Sequence, residues 1–379
     1  MKRGNGEGTV FKRKDGRWES ALAYTDEAGD RQRRRFYGRT RAEVRSKLDE
    51  ALRRLHDGDP VKDATVTVAA WVEGWIHGAL AASNRKVSTR ENYATLARTH
   101  LVPAPFGLIR LDRLKPNDVE SLLVAKRNAG KSASTQRTIH SVLRACLETA
   151  VRDGLLRRNP AALVDRPSPQ VTEALYYTGA DVELLLAAAK DDRLFALIVF
   201  LLGTGVRRGE ALGMRWADVD YQEADKAIAR VRSTLTRAAG QLALSEPKTD
   251  KSRRSVPLPR QVVDELRLHH ARQAAERLRA GSAWRDLGLV FPNEVGGFWE
   301  PRGVARRFAV LAHSAGLRGS MHTLRHTTAT TLLVAGTSMR VVQELLGHSS
   351  FAITADVYAH VSAGQERDAA TRLETAFGW

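Results

Sequence analysis

Three short segments in the C-terminal half of the chain carry side chains that could act together on a phosphate. The first, residues 204–212, reads TGVRRGEAL. Gly205 lets the chain turn, so that Arg207 falls at or near the start of the next helix, where its guanidinium and free backbone N–H groups could bind one phosphate. Glu210 is close enough in sequence to orient an arginine. Taken alone, the segment would more often be a surface ion pair.

The second segment, residues 321–326, reads MHTLRH. On a helix, His322 and Arg325 share a face because they are three residues apart, so they would point at one target. His322 and His326, four residues apart, could instead bind zinc. Thr323 stands where a metalloprotease helix carries its glutamate, and no cysteine lies nearby, so a metal site is the weaker hypothesis.

The third segment reads LLGHSS over residues 345–350, and Tyr358 follows ten residues after His348. A single tyrosine is usually a half-buried helix residue with a bonded hydroxyl. We favour a reactive role for Tyr358, because the two preceding segments supply arginines and histidines that could act on the same phosphate.

These residue types suffice to break a phosphodiester bond. A tyrosine hydroxyl has a pKa of about 10, so it needs a proton acceptor or a strongly positive site before it attacks phosphorus. The attack adds negative charge to the nonbridging oxygens, which preorganised guanidinium groups stabilise. A lysine can protonate the leaving 5′ oxygen. The phosphotyrosyl bond conserves energy, so another 5′ hydroxyl can reverse the step, and we expect no metal, ATP or other cofactor.

The elements that must hold these segments form a mixed region of helices and strands over residues 171–379. A helix is predicted over residues 178–190, and a second, apolar and fully buried, over residues 194–202, directly before the first segment. Strand character extends over residues 227–258, and helices follow. The last, residues 365–376, is amphipathic and either completes its own core or docks on a neighbouring subunit.

Residues 65–160 are predicted to form a separate helical domain. The motif at residues 88–91 predicts the start of one helix, and residues 134–153 form another with apolar side chains on one face. Cys146 lies on that face, which indicates a core residue rather than a reactive thiol. The turn-rich stretch at residues 159–170 marks a domain boundary.

Residues 1–60 are predicted to form a three-stranded sheet backed by one helix. Asp15 and Gly16 favour a tight hairpin, a third strand follows over residues 31–37, and residues 40–43 have the form of a capping box that starts the helix. We expect the basic face of this sheet to bind DNA, since a two-stranded ribbon fits the major groove, rather than to be merely solvated. The candidate contacts are Lys12, Arg13, Lys14, Arg31, Arg33, Arg34 and Arg35.

Composition favours a polyanionic partner. The 379 residues include 60 Lys and Arg against 43 Asp and Glu, a net charge of +17, and nucleic acid or an anionic membrane would both suit it. No apolar run approaches the roughly 20 residues of a membrane span, and the N-terminus does not resemble a signal peptide, so we expect a soluble, cytoplasmic protein. The single cysteine excludes an internal disulfide.

In this order along the chain, the chemical residues resemble those of the tyrosine recombinase family, and the basic N-terminal sheet resembles its phage integrase branch. They are Arg207, Lys248, His322, Arg325, His348 and Tyr358. The resemblance implies that Arg207 and Arg325 clamp the scissile phosphate and that Tyr358 is the nucleophile. It implies that His322 and His348 assist.

The same resemblance implies that Lys248 protonates the leaving oxygen, with Lys251 in the same turn as the alternative, and that Glu210 gives structural support. It implies an α+β chain, mainly helical with small sheets. Its three parts would be an arm-type DNA-binding domain (1–60), a helical, SAM-like core-binding domain (65–160) and a catalytic domain (171–379).

The expected activity is site-specific DNA recombination through a 3′-phosphotyrosine intermediate, which integrates a phage or mobile element and can also excise it. The expected partners are core and arm-type attachment sites in double-stranded DNA, three further copies of the chain in a tetramer, an excision factor and a DNA-bending host protein. Three alternatives stay open from the sequence: a non-catalytic architectural or regulatory DNA-binding protein on the same fold, a type IB topoisomerase, and a metal-dependent nuclease.

Overall fold

The computed structural model of the chain describes residues 8–25, 31–56, 66–168, 175–238, 240–246 and 253–347. These residues divide into two compact units, one before and one after residue 170. Most of the described residues are helical, and the strands form small antiparallel sheets, so the predicted mainly helical α+β class is confirmed. In the described part of the chain, no helix is long and apolar enough to cross a membrane.

The first unit begins with an antiparallel sheet of three strands. They are β1 (Thr9–Lys12), β2 (Trp18–Thr25) and β3 (Arg31–Gly38), and helix α1 (Arg41–His56) packs on one face of the sheet. Leu22 and Phe36 contribute the sheet side of the small core, and Leu48 and Ala51 contribute the helix side. The hydroxyl of Thr40 accepts a hydrogen bond from the Glu43 backbone N–H at 3.2 Å, so the predicted N-terminal cap of α1 forms.

The alternation of β3 separates its arginines between two faces. Arg34 pairs with Leu22 across the sheet, so its side chain lies on the face that packs against α1, and its guanidinium stacks on Phe36 at 5.1 Å. Arg33 and Arg35 have the opposite parity and are exposed. Lys12 pairs with Trp18 and so has the parity of Arg34. The candidates on the strands therefore divide between two faces of the sheet, whereas the sequence predicted one basic face.

Helices α2 (Val68–Trp75), α3 (Val87–His100), α4 (Pro116–Asn128) and α5 (Ala133–Arg152) follow in the first unit. A π-helical turn, Ile76–Leu80, extends α2. The predicted cap at residues 88–91 is wrong, because α3 begins at Val87 and Ser88 already lies within its first turn. Cys146 is buried, and this burial raises the pKa of its thiol, which agrees with a core role.

The second unit surrounds a buried helix. Helix α6 (Gly179–Ala189) is capped by Thr178, and α7 (Phe195–Thr204) has an apolar sequence with seven buried positions. The short helix α8 (Arg208–Leu212) comes directly after it. Because α7 is apolar on every side, it lies at the centre of this core. The packing of α7 therefore fixes the position of the residues that directly follow its C-terminal end.

Two small sheets and four longer helices complete the described part of this unit. One sheet has the order β4 (Val219–Asp220), β5 (Ile228–Val231), β8 (Arg254–Pro257), and the other pairs β6 (Thr234–Ala238) with β7 (Gln241–Ser245). The helices are α9 (Arg260–Ala280), α10 (Pro301–Ser314), α11 (Met321–Val334) and α12 (Met339–Leu346). Helices α9 and α11 both pack against α7, and α12 packs against α11 and β8.

Candidate active site

The turn between α7 and α8 brings the first chemical segment to its place. Gly205 ends α7 in the left-handed conformation, with φ of 62°. A Cβ at this position would lie 2.4 Å from Leu346 Cδ2, so only glycine allows the end of α12 to approach so closely. Arg207 follows as the N-cap of α8, and its backbone N–H donates to Glu210 Oε2 at 2.9 Å. The sequence predicted that this N–H is free to bind a phosphate. In the structure it instead donates its hydrogen bond to the Glu210 carboxylate.

Glu210 joins two arginines. Its Oε1 accepts from Arg207 Nη1 and its Oε2 from Arg254 Nη2, each at 2.9 Å. Burial alone would raise the pKa of Glu210, but hydrogen bonds and charges from Arg254 and Arg207 together hold it below the ordinary value. Glu210 is therefore an anion at neutral pH, and it fixes one edge of the Arg207 guanidinium, whose side chain remains 40% exposed.

Arg325 reaches the same place from α11. Its Nη1 donates to the Gly205 carbonyl at 2.7 Å and its Nη2 to the Leu346 carbonyl at 2.8 Å. The residue is only 3% exposed. The pKa of Arg325 is lowered to about 9, mainly by burial and then by the positive charge of Arg207. The guanidinium therefore still carries its charge at neutral pH.

The last turn of α12 is the common anchor of this arrangement. Three consecutive carbonyls accept from three arginines: Leu345 from Arg254 Nε at 2.7 Å, Leu346 from Arg325, and Gly347 from Arg207 Nη2 at 2.9 Å. The C-terminal carbonyls of a helix have no intrahelical partners and carry partial negative charge, so they attract guanidinium groups. Three cations thus surround one carboxylate and one helix end, which leaves an excess of positive charge for an anion.

His322 lies on α11, one turn before Arg325, and is solvent-exposed. Its ring meets that of His326 edge to face, with centroids 4.7 Å apart. Burial of part of the ring first, and then its electrostatic interactions with His326, Arg325 and Arg207, lower the pKa of His322 to about 4. The imidazole is therefore neutral at pH 7 and can donate one hydrogen bond while accepting another.

Comparison with known proteins decides the family. A model described as the phage integrase family matches residues 176–365, about half of the chain, and that range contains all of the contacts above. The chain belongs to the phage integrase family. A tyrosine recombinase XerC-like protein of Caldanaerobacter subterraneus subsp. tengcongensis is 29% identical over 368 residues, covering 93% of this chain and 94% of the relative. An integrase of Streptomyces ambofaciens is 32% identical over 370 residues, covering 94% and 92%.

Solved structures of integrases share the fold. The Tn1549 transposon integrase in complex with transposon right end DNA has a TM-score of 0.67 at 23% identity, covering 81% of this chain and 99% of that chain. A lambda integrase tetramer bound to a Holliday junction has a TM-score of 0.58 at 18% identity, covering 94% and 96%. The family match and the two relatives reported above show that the chain is an enzyme, a site-specific recombinase of the tyrosine type, and they confirm the family identified from the sequence.

The structure brings some of the predicted site residues of this integrase-family chain together. Arg207, Glu210 and Arg325 meet at the end of α12, and His322 lies one turn from Arg325 on the same helix. The other predicted residues lie outside the described residues, as does the C-terminal amphipathic segment: Lys248 and its alternative Lys251, His348 and Tyr358. Among the residues that the structure describes, no group of three or more His, Cys, Asp and Glu side chains could hold a metal ion.

Sequence reasoning missed Arg254. Its side chain is 7% exposed and contacts both Glu210 and the end of α12. One signal was available, since Arg254 is two residues before the buried Val256 in a strand and so shares its inward face. That alternation gives the side of the strand but not the partners, which lie 44 residues earlier in α8 and 91 residues later in α12.

The N-terminal sheet carries a separate basic surface. Lys12, Lys14, Arg31, Arg33 and Arg35 are exposed. Arg13 and Arg35 each lie 3.6 Å from the buried carboxylate of Glu19, which holds these two arginines against the sheet. The face with Arg31, Arg33 and Arg35 is thus cationic, and the carboxylate beneath it fixes Arg13 and Arg35.

Proposed function

We propose that the chain cleaves and rejoins double-stranded DNA at defined attachment sites, with Tyr358 as the nucleophile and Arg207 and Arg325 as the groups that bind the scissile phosphate. The observation that carries this proposal is the meeting of those two arginines, 118 residues apart in sequence, at the helix end that leads into His348. A purely structural ion-pair cluster would not need three guanidinium groups for one carboxylate.

Electrostatics supports a phosphate as the ligand. In the transition state, negative charge accumulates on the nonbridging oxygens, and donors already held in place stabilise it without reorganisation. Arg325 is fixed by two carbonyls, and Arg207 by Glu210 and Gly347, while part of the Arg207 side chain faces solvent. The guanidinium of Arg207 can therefore add a phosphate to its present partners.

The proton and bond changes follow the family resemblance. The Tyr358 hydroxyl gives its proton to solvent water, favoured by the positive charge of Arg207 and Arg325, and its oxygen bonds to phosphorus. The bond from phosphorus to the 5′ oxygen breaks, and Lys248 or Lys251 gives that oxygen a proton. His322 and His348 donate hydrogen bonds to the phosphate. A 5′ hydroxyl from another strand then reverses these changes and joins the new pair of strands.

The assembly and partners are proposed from the relatives. The lambda integrase structure contains a tetramer on a Holliday junction, and the Tn1549 integrase structure contains transposon end DNA. We propose four copies of the chain on two core sites, with the basic N-terminal sheet on arm-type sites. An excision factor and a DNA-bending host protein would set the direction of the reaction, which integrates or excises a phage or mobile element in the cytoplasm of a bacterial host.

Covalent trapping tests the proposal. Nicked suicide duplexes from the ends of the chain's own mobile element should yield a protein–DNA adduct that survives denaturation. Tyr358→Phe should abolish the adduct, and a chelator should leave it unchanged. Absence of an adduct on every duplex that the chain binds would favour a non-catalytic DNA-binding protein.

A supercoiled plasmid without an attachment site is the control for specificity. We expect the chain to leave it supercoiled. Relaxation of this plasmid at the rate seen with an attachment site would indicate a type IB topoisomerase and would contradict site-specific recombination.

A further inference from the structure

Arg254 belongs to the site although the sequence gave it no role. It is the first residue of β8, where it pairs with Val231 of β5, so its backbone is held by a sheet. Its guanidinium donates to Glu210 Oε2 and, through Nε, to the Leu345 carbonyl. These contacts use two of the three guanidinium nitrogens, so the side chain is held between α8 and the end of α12 and can hold other groups in place.

The end of α12 is shaped around this arginine. Gly347 has φ of 68°, and a Cβ there would lie 2.8 Å from Arg254 Nη1. The guanidinium therefore packs directly against the backbone of the residue that binds Arg207 through its carbonyl. Arg254 touches both anchors of Arg207, namely Glu210 and the Gly347 turn.

The balance of charge explains why a second arginine on Glu210 matters. A buried carboxylate with Arg207 as its single cationic partner would favour a bidentate pair with it, which would draw the guanidinium away from a phosphate. Arg254 supplies one of the hydrogen-bond donors that Glu210 needs. Arg207 therefore donates to Glu210 from one Nη rather than from both.

We propose that Arg254 is a positioning residue that, by sharing Glu210 and packing under Gly347, keeps the guanidinium of Arg207 aimed at the scissile phosphate. The proposal rests on the proposed function of Arg207 as a phosphate ligand. It does not require Arg254 to touch DNA, because Arg254 acts on Arg207 through Glu210 and Gly347.

The test is a double-mutant cycle on the full-length chain, measured as the single-turnover rate of covalent adduct formation on saturating suicide duplex. Arg254→Met should slow this rate about 100-fold, the size expected when a catalytic group is misplaced by about 1 Å. The dissociation constant for the same duplex should change less than about threefold, because one displaced contact matters more to the transition state than to binding.

Coupling to Glu210 separates positioning from other roles. In a Glu210→Gln background, Arg254→Met should slow the rate by less than about threefold, because its effect has already been lost. Arg254→Lys keeps the charge and one donor, so it should recover at least about tenfold of the loss in Arg254→Met. If Arg254→Met does not fold, the same cycle is run with Arg254→Lys, which should also lose its effect in the Glu210→Gln background.

Arg253→Met is the matched control, since Arg253 is adjacent, exposed and paired with the surface residue Glu246 at 2.9 Å. It should change the rate less than about twofold. Equal losses from Arg253→Met and Arg254→Met, independent effects of Arg254 and Glu210, or a normal rate in Arg254→Met would each overturn the role. A wild-type chain that forms no adduct would instead contradict the proposed function, and this role with it.

Discussion

Substitution of Gly205 by alanine tests how closely α7 and α12 must approach. The left-handed conformation at φ of 62° costs an L-residue about 1–2 kcal/mol. The new Cβ would also lie 2.4 Å from Leu346 Cδ2 and 3.3 Å from Thr328 Cγ2, and overpacking of this kind costs about 1–3 kcal/mol. We therefore expect Gly205→Ala to destabilise the second unit by about 2–5 kcal/mol.

Gly316→Ala separates the two contributions. Gly316 has φ of 72°, and a Cβ there would have nothing within 4 Å, so only the backbone cost of about 1–2 kcal/mol applies. Amide hydrogen exchange of α7 and α11 in the full-length chain measures the free energy of opening for both variants. Equal destabilisation by the two substitutions would refute the close approach of Leu346 to Gly205.

Two further predictions concern the basic sheet and the buried core. The double variant Arg33→Ala with Arg35→Ala should bind arm-type DNA more weakly. The slope of log affinity against log salt should become less steep by about 2, because each lost phosphate contact contributes about 0.9. Arg45→Ala on α1 is the control, and an unchanged slope in the double variant would contradict DNA contact by β3. Burial lowers the pKa of His269 from 6.5 to about 4, so the unfolded chain takes up a proton before the folded one does. The free energy of unfolding of the second unit should therefore fall as the pH drops from about 6.5 to 4. In unfolding experiments at pH 7 and pH 5, His269→Gln should reduce this change with pH. An equal change in the variant and the wild type would count against a buried neutral imidazole.

Local patterns were enough to predict most elements around the site. The position of Arg207 at a helix start follows from the glycine after a buried helix, and the helix from Thr178 follows from its capping motif. Both depend on residues within one or two turns. The α+β class and the tyrosine recombinase family were predicted from the order of motifs along the whole chain and are confirmed.

The features that the sequence did not reveal all depend on distant partners. Arg34 turns toward α1 because strand parity, not its charge, sets its direction. The role of Arg254 depends on Glu210, 44 residues earlier, and on a backbone carbonyl of α12. A backbone carbonyl has no sequence signature, so no motif could have shown that three arginines bind one helix end. Lys248, His348 and Tyr358 remain predictions.

The three carbonyls at the end of α12 also tie the positions of three arginines to one another. One helical turn holds Arg207, Arg254 and Arg325, so a shift of that turn would change all three contacts at once rather than one after another. The two arginines proposed to bind the phosphate would then lose their alignment together with Arg254, which holds one of them in place.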